Sequence, residues 1–208
     1  MPIYCDESGG VGRGVMTLAA ISIDASFADD ILMEFRIANG LAGELKGSRI
    51  DLGERAMFFN FLEQVPWTAA VSIAISALTP EAGEDHGDRD IAIYAELLDD
   101  AIGVMLATAE GCVQVVIDDG RYGPATLSLI RNDIAKLIGP CGQAQLELSH
   151  RASALQIADV IANTFFNRAL VNDRQSQMAT IVAPFLESGQ IAMRVLSGNA
   201  QRNDEGGE

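Results

Sequence analysis

Histidine is nearly missing from this chain. Its 208 residues hold two, His86 and His150. A zinc centre built on imidazole is therefore poorly supplied. His150, near a predicted strand, can orient a water, but a loop histidine is more often a bystander. Cysteine is scarce as well: Cys5, Cys112 and Cys141. No CxxC spacing joins them, and an odd count argues against a disulfide framework. Cys5 and Cys112 fall in apolar runs and read as reduced core residues. That usage points to the cytoplasm. No apolar run reaches the ~18–20 residues that cross a bilayer. No basic segment followed by an apolar stretch opens the chain, so no secretory signal is expected.

Basic residues are the third deficit. Fourteen Lys and Arg stand against 29 Asp and Glu, a net charge of −15. Such a field repels phosphate and opposes general attraction to nucleic acid. A carboxylate metal site, acidic until its metal binds, accounts for a small part. The rest is consistent with a small substrate, a local basic strip or an acidic surface that faces a partner. Lys46, Arg49 and Arg55 cluster in one segment; Arg121, Arg131 and Lys136 follow Asp118. They either border a carboxylate crevice or are ordinary solvated charges.

The familiar phosphate and nucleophile motifs are absent in their required contexts: GxSxG, GxxxxGK[ST] and GxGxxG. Gly10-Val11-Gly12-Arg13-Gly14 is glycine-rich, but it links two predicted strands. No helix N-terminus follows it to hold an anion, so it reads as a hairpin turn.

What remains is an ordinary globular composition, 49% hydrophobic and 21% charged, of a length that suits one domain. Residues 1–198 read as that domain and 199–208 as a disordered acidic tail. Strands are predicted at Pro2–Cys5, Val15–Ile23, Trp67–Leu78, Val113–Ile117 and Ala144–Leu148. Helices are predicted at Phe27–Asn39, Arg55–Gln64, Ile91–Thr108, Thr126–Ile138 and Ser153–Leu170. Pro80–Arg89 reads as a loop. Ile181–Leu186 and Ile191–Leu196 carry weaker patterns. Short hairpin links mixed with helical crossovers imply a mixed sheet of about five strands flanked by helices.

Asp6-Glu7-Ser8-Gly9 ends the first apolar run. Two carboxylates at the end of a strand need a partner, and a divalent cation is one. Glu44, Asp118 with Asp119, and Asp159 occupy comparable settings. On the helix Ser153–Leu170, Gln156, Asp159, Asn163 and Asn167 form one narrow polar stripe at ~100° per residue. The rest of that helix is mostly apolar, as in a buried helix. The stripe either faces solvent or faces an enclosed site.

Taken together, Asp6-Glu7-Ser8-Gly9, Glu44-Leu45-Lys46-Gly47-Ser48, Asp118, Ser149 and Leu155-Gln156-Ile157-Ala158-Asp159 resemble the pattern of the family catalogued as domain of unknown function 3800. The resemblance covers roughly residues 1 to 170. That family is similar to the ribonuclease H-like nucleases. The resemblance implies a ribonuclease H-like α/β fold and an acidic cluster holding Mg²⁺ or Mn²⁺. The residue types suit phosphodiester hydrolysis. Asp6, Asp118 and Asp159 are the expected metal ligands, with Glu7 or Glu44 as a fourth member of the catalytic set. Lys46 is placed to neutralise charge on phosphate. Ser8, Ser149 and Gln156 are candidate substrate contacts. The substrate class is nucleic acid or nucleotide, no membrane is involved, and a protein partner and the oligomeric state stay open. The rival is a non-catalytic domain of the same fold that binds a ligand or a protein.

Overall fold

In the computed structural model of this protein, residues 2–75 and 86–196 are described. Six strands form one sheet: β1 Pro2–Gly10, β2 Val15–Ile23, β3 Trp67–Ile75, β4 Gln114–Asp118, β5 Gln143–Glu147 and β6 Ile191–Leu196. Their order is β5-β4-β1-β2-β3-β6. The neighbours β1, β2 and β3 are antiparallel, while β4 lies parallel to β1, β5 to β4, and β6 to β3. The sixth strand adds to the five expected. Its signal is weak because Ile191 is its one fully buried residue.

Among the described residues there are also six α-helices: α1 Ala25–Asn39, α2 Leu52–Leu62, α3 His86–Leu106, α4 Pro124–Leu137, α5 Ser153–Ala169 and α6 Gln175–Glu187. Asp24 caps α1 by accepting from Ser26 N, and Gly40 closes it in the left-handed region. Asp51 and Glu54 form a reciprocal capping box at α2. α3 begins at His86, so the predicted loop is helical over residues 86–89, and residues 80–85 lie outside those described. The expected tail at 199–208 lies outside them too.

Helices α1, α2, α5 and α6 cover one face of the sheet, and α3 and α4 cover the other. The central strand β2 is buried on both faces, which explains its unbroken apolar sequence. Phe35, Phe58, Phe59, Phe185 and Trp67 fill the first layer with edge-on and tilted ring contacts.

One expected boundary is corrected. β1 does not stop before Asp6; it pairs with β2 through Gly10, opposite Val15. The polar residues do not end the strand because β2 keeps supplying backbone partners. Cys112 is also corrected. It is exposed, as is Cys141, while Cys5 is buried. Gly111, at φ 74°, turns the chain just before β4 and leaves Cys112 outside the core.

Gly9 sits at φ 90°, and a Cβ there would overlap Val15 O and the Phe166 ring. Gly12 has open space around it. Gly9→Ala is expected to cost at least about 2 kcal/mol in urea denaturation, and Gly12→Ala under about 0.5 kcal/mol. Equal effects at the two positions would contradict this packing.

Candidate active site

Strand alternation assembles the site. On β1, Ile3 and Cys5 face the α3 layer while Tyr4 faces the α5 layer. Asp6 and Ser8 share the Tyr4 face, and the Ser8 hydroxyl accepts from Asn163 of α5 at 3.0 Å. On β4, Val115 and Ile117 belong to the α3 layer, so Asp118 shares the face of Asp6. The parallel register pairs Cys5 with Ile117. Asp6 and Asp118 are therefore the next residues along two adjacent strands.

Helix α5 packs across β1 and β2. Its polar stripe faces inward. Gln156 is 2% exposed and Asn163 7%. Asp159 accepts from Gly47 N at 2.9 Å. That contact needs glycine, because a Cβ at Gly47 would stand 2.7 Å from Asn163 Cβ and 3.0 Å from Asp159 O. The α1–α2 loop thus lies directly on α5 and delivers Lys46 to the carboxylates. Lys46 Nζ is 2.8 Å from Glu44 Oε1 and donates to Ser149 Oγ at 3.0 Å. The Ser149 hydroxyl donates to Glu44, and Ser149 N donates to Asp118 Oδ1 at 3.0 Å. Gln156 spends its polar atoms inside the chain: Oε1 accepts from Leu45 N and Arg36, and Nε2 donates to Ser149 O. These contacts join Glu44, Lys46, Asp118, Ser149 and Gln156; Asp159 holds the Lys46 loop through Gly47 N, Asp6 and Glu7 act through the fields described next, and the Ser8 hydroxyl is bonded to Asn163.

Burial pushes the Asp6 carboxyl well above its usual range, and the charges of Glu7, Asp159 and Asp118 push the same way. Asp118 and Asp159 are raised too, first by burial. Lys46 works against all three. Burial also acts to raise Glu44, but its hydrogen bonds from Lys46 and Ser149 win and hold it low. Asp6 Oδ2 is buried with no hydrogen-bond partner. An orphaned carboxylate oxygen of this kind suits a hard cation. Among the described residues, however, no three carboxylate, histidine or cysteine side chains are gathered closely enough to hold a metal ion. Each carboxylate is turned toward backbone N–H instead: Asp6 to Glu7 N, Asp118 to Gly120 N and Ser149 N, Asp159 to Gly47 N.

Glu7 points to the other face. Arg121 reaches its Oε1 at 3.4 Å and pairs with Asp90 at 2.7 Å, while Tyr122 donates to Asp90. Burial raises Glu7 to about 7 despite Arg121. The Arg121–Asp90–Tyr122 network carries no local sequence signal, because its members come from α3 and from the turn after β4.

Arg55, read from the sequence either as bordering the carboxylate crevice or as a solvated charge, is 1% exposed. It donates to Gly47 O, Asn163 Oδ1 (3.0 Å), Thr164 Oγ1 (2.6 Å) and Val160 O (3.2 Å), clamping the Lys46 loop onto α5. Burial pulls its guanidinium down to about 10, opposed by the Asp159 charge. Arg131 and Lys136 are exposed on α4. Arg36, Lys46 and Arg49 line a cavity of about 120 Å³ together with Glu44.

The strand order and directions define a ribonuclease H-like fold. A search of solved structures agrees: a chain in the structure of the PCNA:RNase HII complex from Archaeoglobus fulgidus superposes with a TM-score of 0.52 at 14% identity. The match covers 92% of this chain and 91% of that one. At that identity the likeness concerns the fold. No family model and no curated protein matches the chain. Among the described residues, no helix is long and apolar enough to cross a membrane.

Two outcomes are expected. Arg55→Met leaves several buried acceptors without donors and lowers stability by about 3 kcal/mol in chemical denaturation; Arg55→Lys recovers only part, since an ammonium lacks the planar fork. A neutral effect of Arg55→Met would remove the clamp. The second concerns pH. Glu7 rises from an ordinary 4.5 to about 7 on folding, so the folded state binds more protons between those values. Stability therefore falls as pH rises from about 4.5 to about 7, on the order of 3 kcal/mol from this group at about 1.36 kcal/mol per unit. Asp6, Asp118 and Asp159 shift in the same direction. Glu7→Gln should flatten the metal-free stability profile across that window, and an unaltered slope would contradict the assignment.

Proposed function

We propose that this protein is a divalent-metal-dependent nuclease or phosphoesterase of the ribonuclease H-like fold, akin to the domain of unknown function 3800 family. The observation that carries this reading is Asp6: a buried carboxylate with one orphaned oxygen, set beside Asp118 and facing Asp159. Asp6, Asp118 and Asp159 are the residues that would hold Mg²⁺ or Mn²⁺, which supplies Lewis-acid activation of water and charge neutralisation when bound. In the absence of metal, Lys46 and the backbone N–H groups of Gly47, Gly120 and Ser149 hold the carboxylates in reserve. Glu44 and Ser149 fix the Lys46 ammonium at the edge of the cluster, where it can meet a phosphoryl oxygen. Burial pushes the Lys46 ammonium down, but its bond to Glu44 and the fields of Asp159 and Asp6 keep it protonated and raised. Glu7 lies behind the site and contributes charge to it, with Arg121 as its counterion.

The cations around the small cavity, Arg36, Lys46 and Arg49, offset the net charge of −15 locally and suit an anionic substrate such as nucleic acid or a nucleotide. The relative of the same fold was solved in a complex with PCNA, so a protein partner belongs to this reading as well. The rival reading, a binding domain without turnover, draws on the net charge of −15 and on carboxylates whose hydrogen bonds go to backbone N–H groups.

Cleavage of labelled DNA, RNA and hybrid duplexes with Mg²⁺ or Mn²⁺ separates the two. Activity is expected in the native protein, a loss of at least about a thousandfold in Asp118→Asn, and roughly a hundredfold in Lys46→Ala. Metal at a hundredfold excess over its dissociation constant should also stabilise the fold by about 2.7 kcal/mol. Retained activity in Asp118→Asn would reject this site. No cleavage and no metal-dependent stabilisation would favour the binding domain.

A further inference from the structure

Cys112 and Cys141 lie outside everything described so far. Cys112 precedes β4 by one residue and Cys141 precedes β5 by one, counting Val113 and Gly142 between. The β4–β5 register pairs Gln114 with Gln143, and Gln143 N donates to Val113 O at 3.0 Å, one step further back. Two residues before each of these strand starts lie Cys112, just after the Gly111 turn, and Cys141, in the turn that Gly142 N closes by donating to Gly139 O. The strands they lead into are neighbours about 4.8 Å apart, and a disulfide bridges a Cα separation of ~4.4–6.8 Å. A hydrogen bond with Cys112 is the first cause that raises the Cys141 thiol above its usual range. Both residues are exposed, and both are thiols. Cys5 is fully buried and takes no part.

We propose that Cys112 and Cys141 form a surface dithiol that a small-molecule disulfide oxidises to an intramolecular disulfide. The Cys112 thiolate attacks one sulfur of the oxidant, here oxidised glutathione. A Cys112–glutathione bond forms, and one glutathione thiolate leaves and takes up a proton. The Cys141 thiol then loses its proton and attacks the Cys112 sulfur. The Cys112–Cys141 bond forms and the second glutathione departs. Two protein thiols are oxidised and one glutathione disulfide is reduced to two thiols. The product closes the segment that carries α4 and ties the edge strand β5 to β4. Restricting the unfolded chain in this way raises stability. Asp118 ends β4 at its opposite terminus, so the carboxylate site is not rearranged by the bond.

The test uses the native full chain incubated with oxidised glutathione. Exposed thiols should fall from two to none, the intact mass should drop by two hydrogens, and a digest should contain a linked Cys112–Cys141 peptide. The melting temperature should rise and return on reduction with dithiothreitol. Cys5 should titrate only after denaturation. Cys141→Ser should retain one glutathione on Cys112 rather than lose it. Two glutathiones on the native chain, two thiols that stay free, or a disulfide-linked dimer would each overturn the proposal.

Discussion

Buried negative charge is the constraint on which the rest of this molecule depends. Asp6, Asp118 and Asp159 lie on one face of the sheet, and each is raised by burial before any neighbour acts. An ionised carboxylate in such a place is costly unless a cation or donated hydrogen bonds compensate it. The chain provides the Lys46 ammonium, held by Glu44 and Ser149, and a set of backbone N–H groups. It also provides Arg55, whose buried guanidinium has main-chain and amide acceptors and stands in the field of Asp159. The loop that bears Lys46 rests on α5 only because Gly47 has no side chain. Parallel pairing of β1 with β4, the crossing of α5 and the close loop contact all serve to bring like charges together.

Asp6 and Glu7 illustrate how a strand divides two adjacent acids. Alternation sends Asp6 toward α5 and Glu7 toward Arg121. Glu7 has a resident counterion, and Arg121 is in turn held by Asp90 and Tyr122. Among the described residues Asp6 has no ion pair of this kind, while Asp6 Oδ2 and Glu7 Oε2 are both buried without a hydrogen-bond partner. The neighbours differ in surroundings: Glu7 meets the Arg121 guanidinium, and Asp6 meets the charges of Asp159 and Asp118.

Much of this was legible before any coordinates. Val15–Ile23 is a strand because it is apolar without interruption, and it is buried on both faces. The α5 stripe of Gln156, Asp159 and Asn163 stood out against an apolar helix, and it faces inward as a buried helix requires. What escaped were features set by tertiary partners. β1 runs on through Asp6 to Gly10 because β2 lies beside it, which no local propensity reports. β6 is a strand because β3 offers an edge. The sequence leaves Arg55 open between a crevice cation and a solvated one until the acceptors on α5, some hundred residues away, are placed around it. Cys112 follows a turn that the apolar residues after it conceal.

Diffraction from crystals soaked in Mn²⁺, recorded at the manganese absorption edge, addresses the central claim directly. If the orphaned oxygen of Asp6 marks a cation site, an anomalous peak lies between Asp6, Asp118 and Asp159, with the three carboxylates drawn in from their backbone partners. An anomalous map with no peak at these residues in a saturating soak, the carboxylates still bonded to Glu7 N, Ser149 N and Gly47 N, would contradict it.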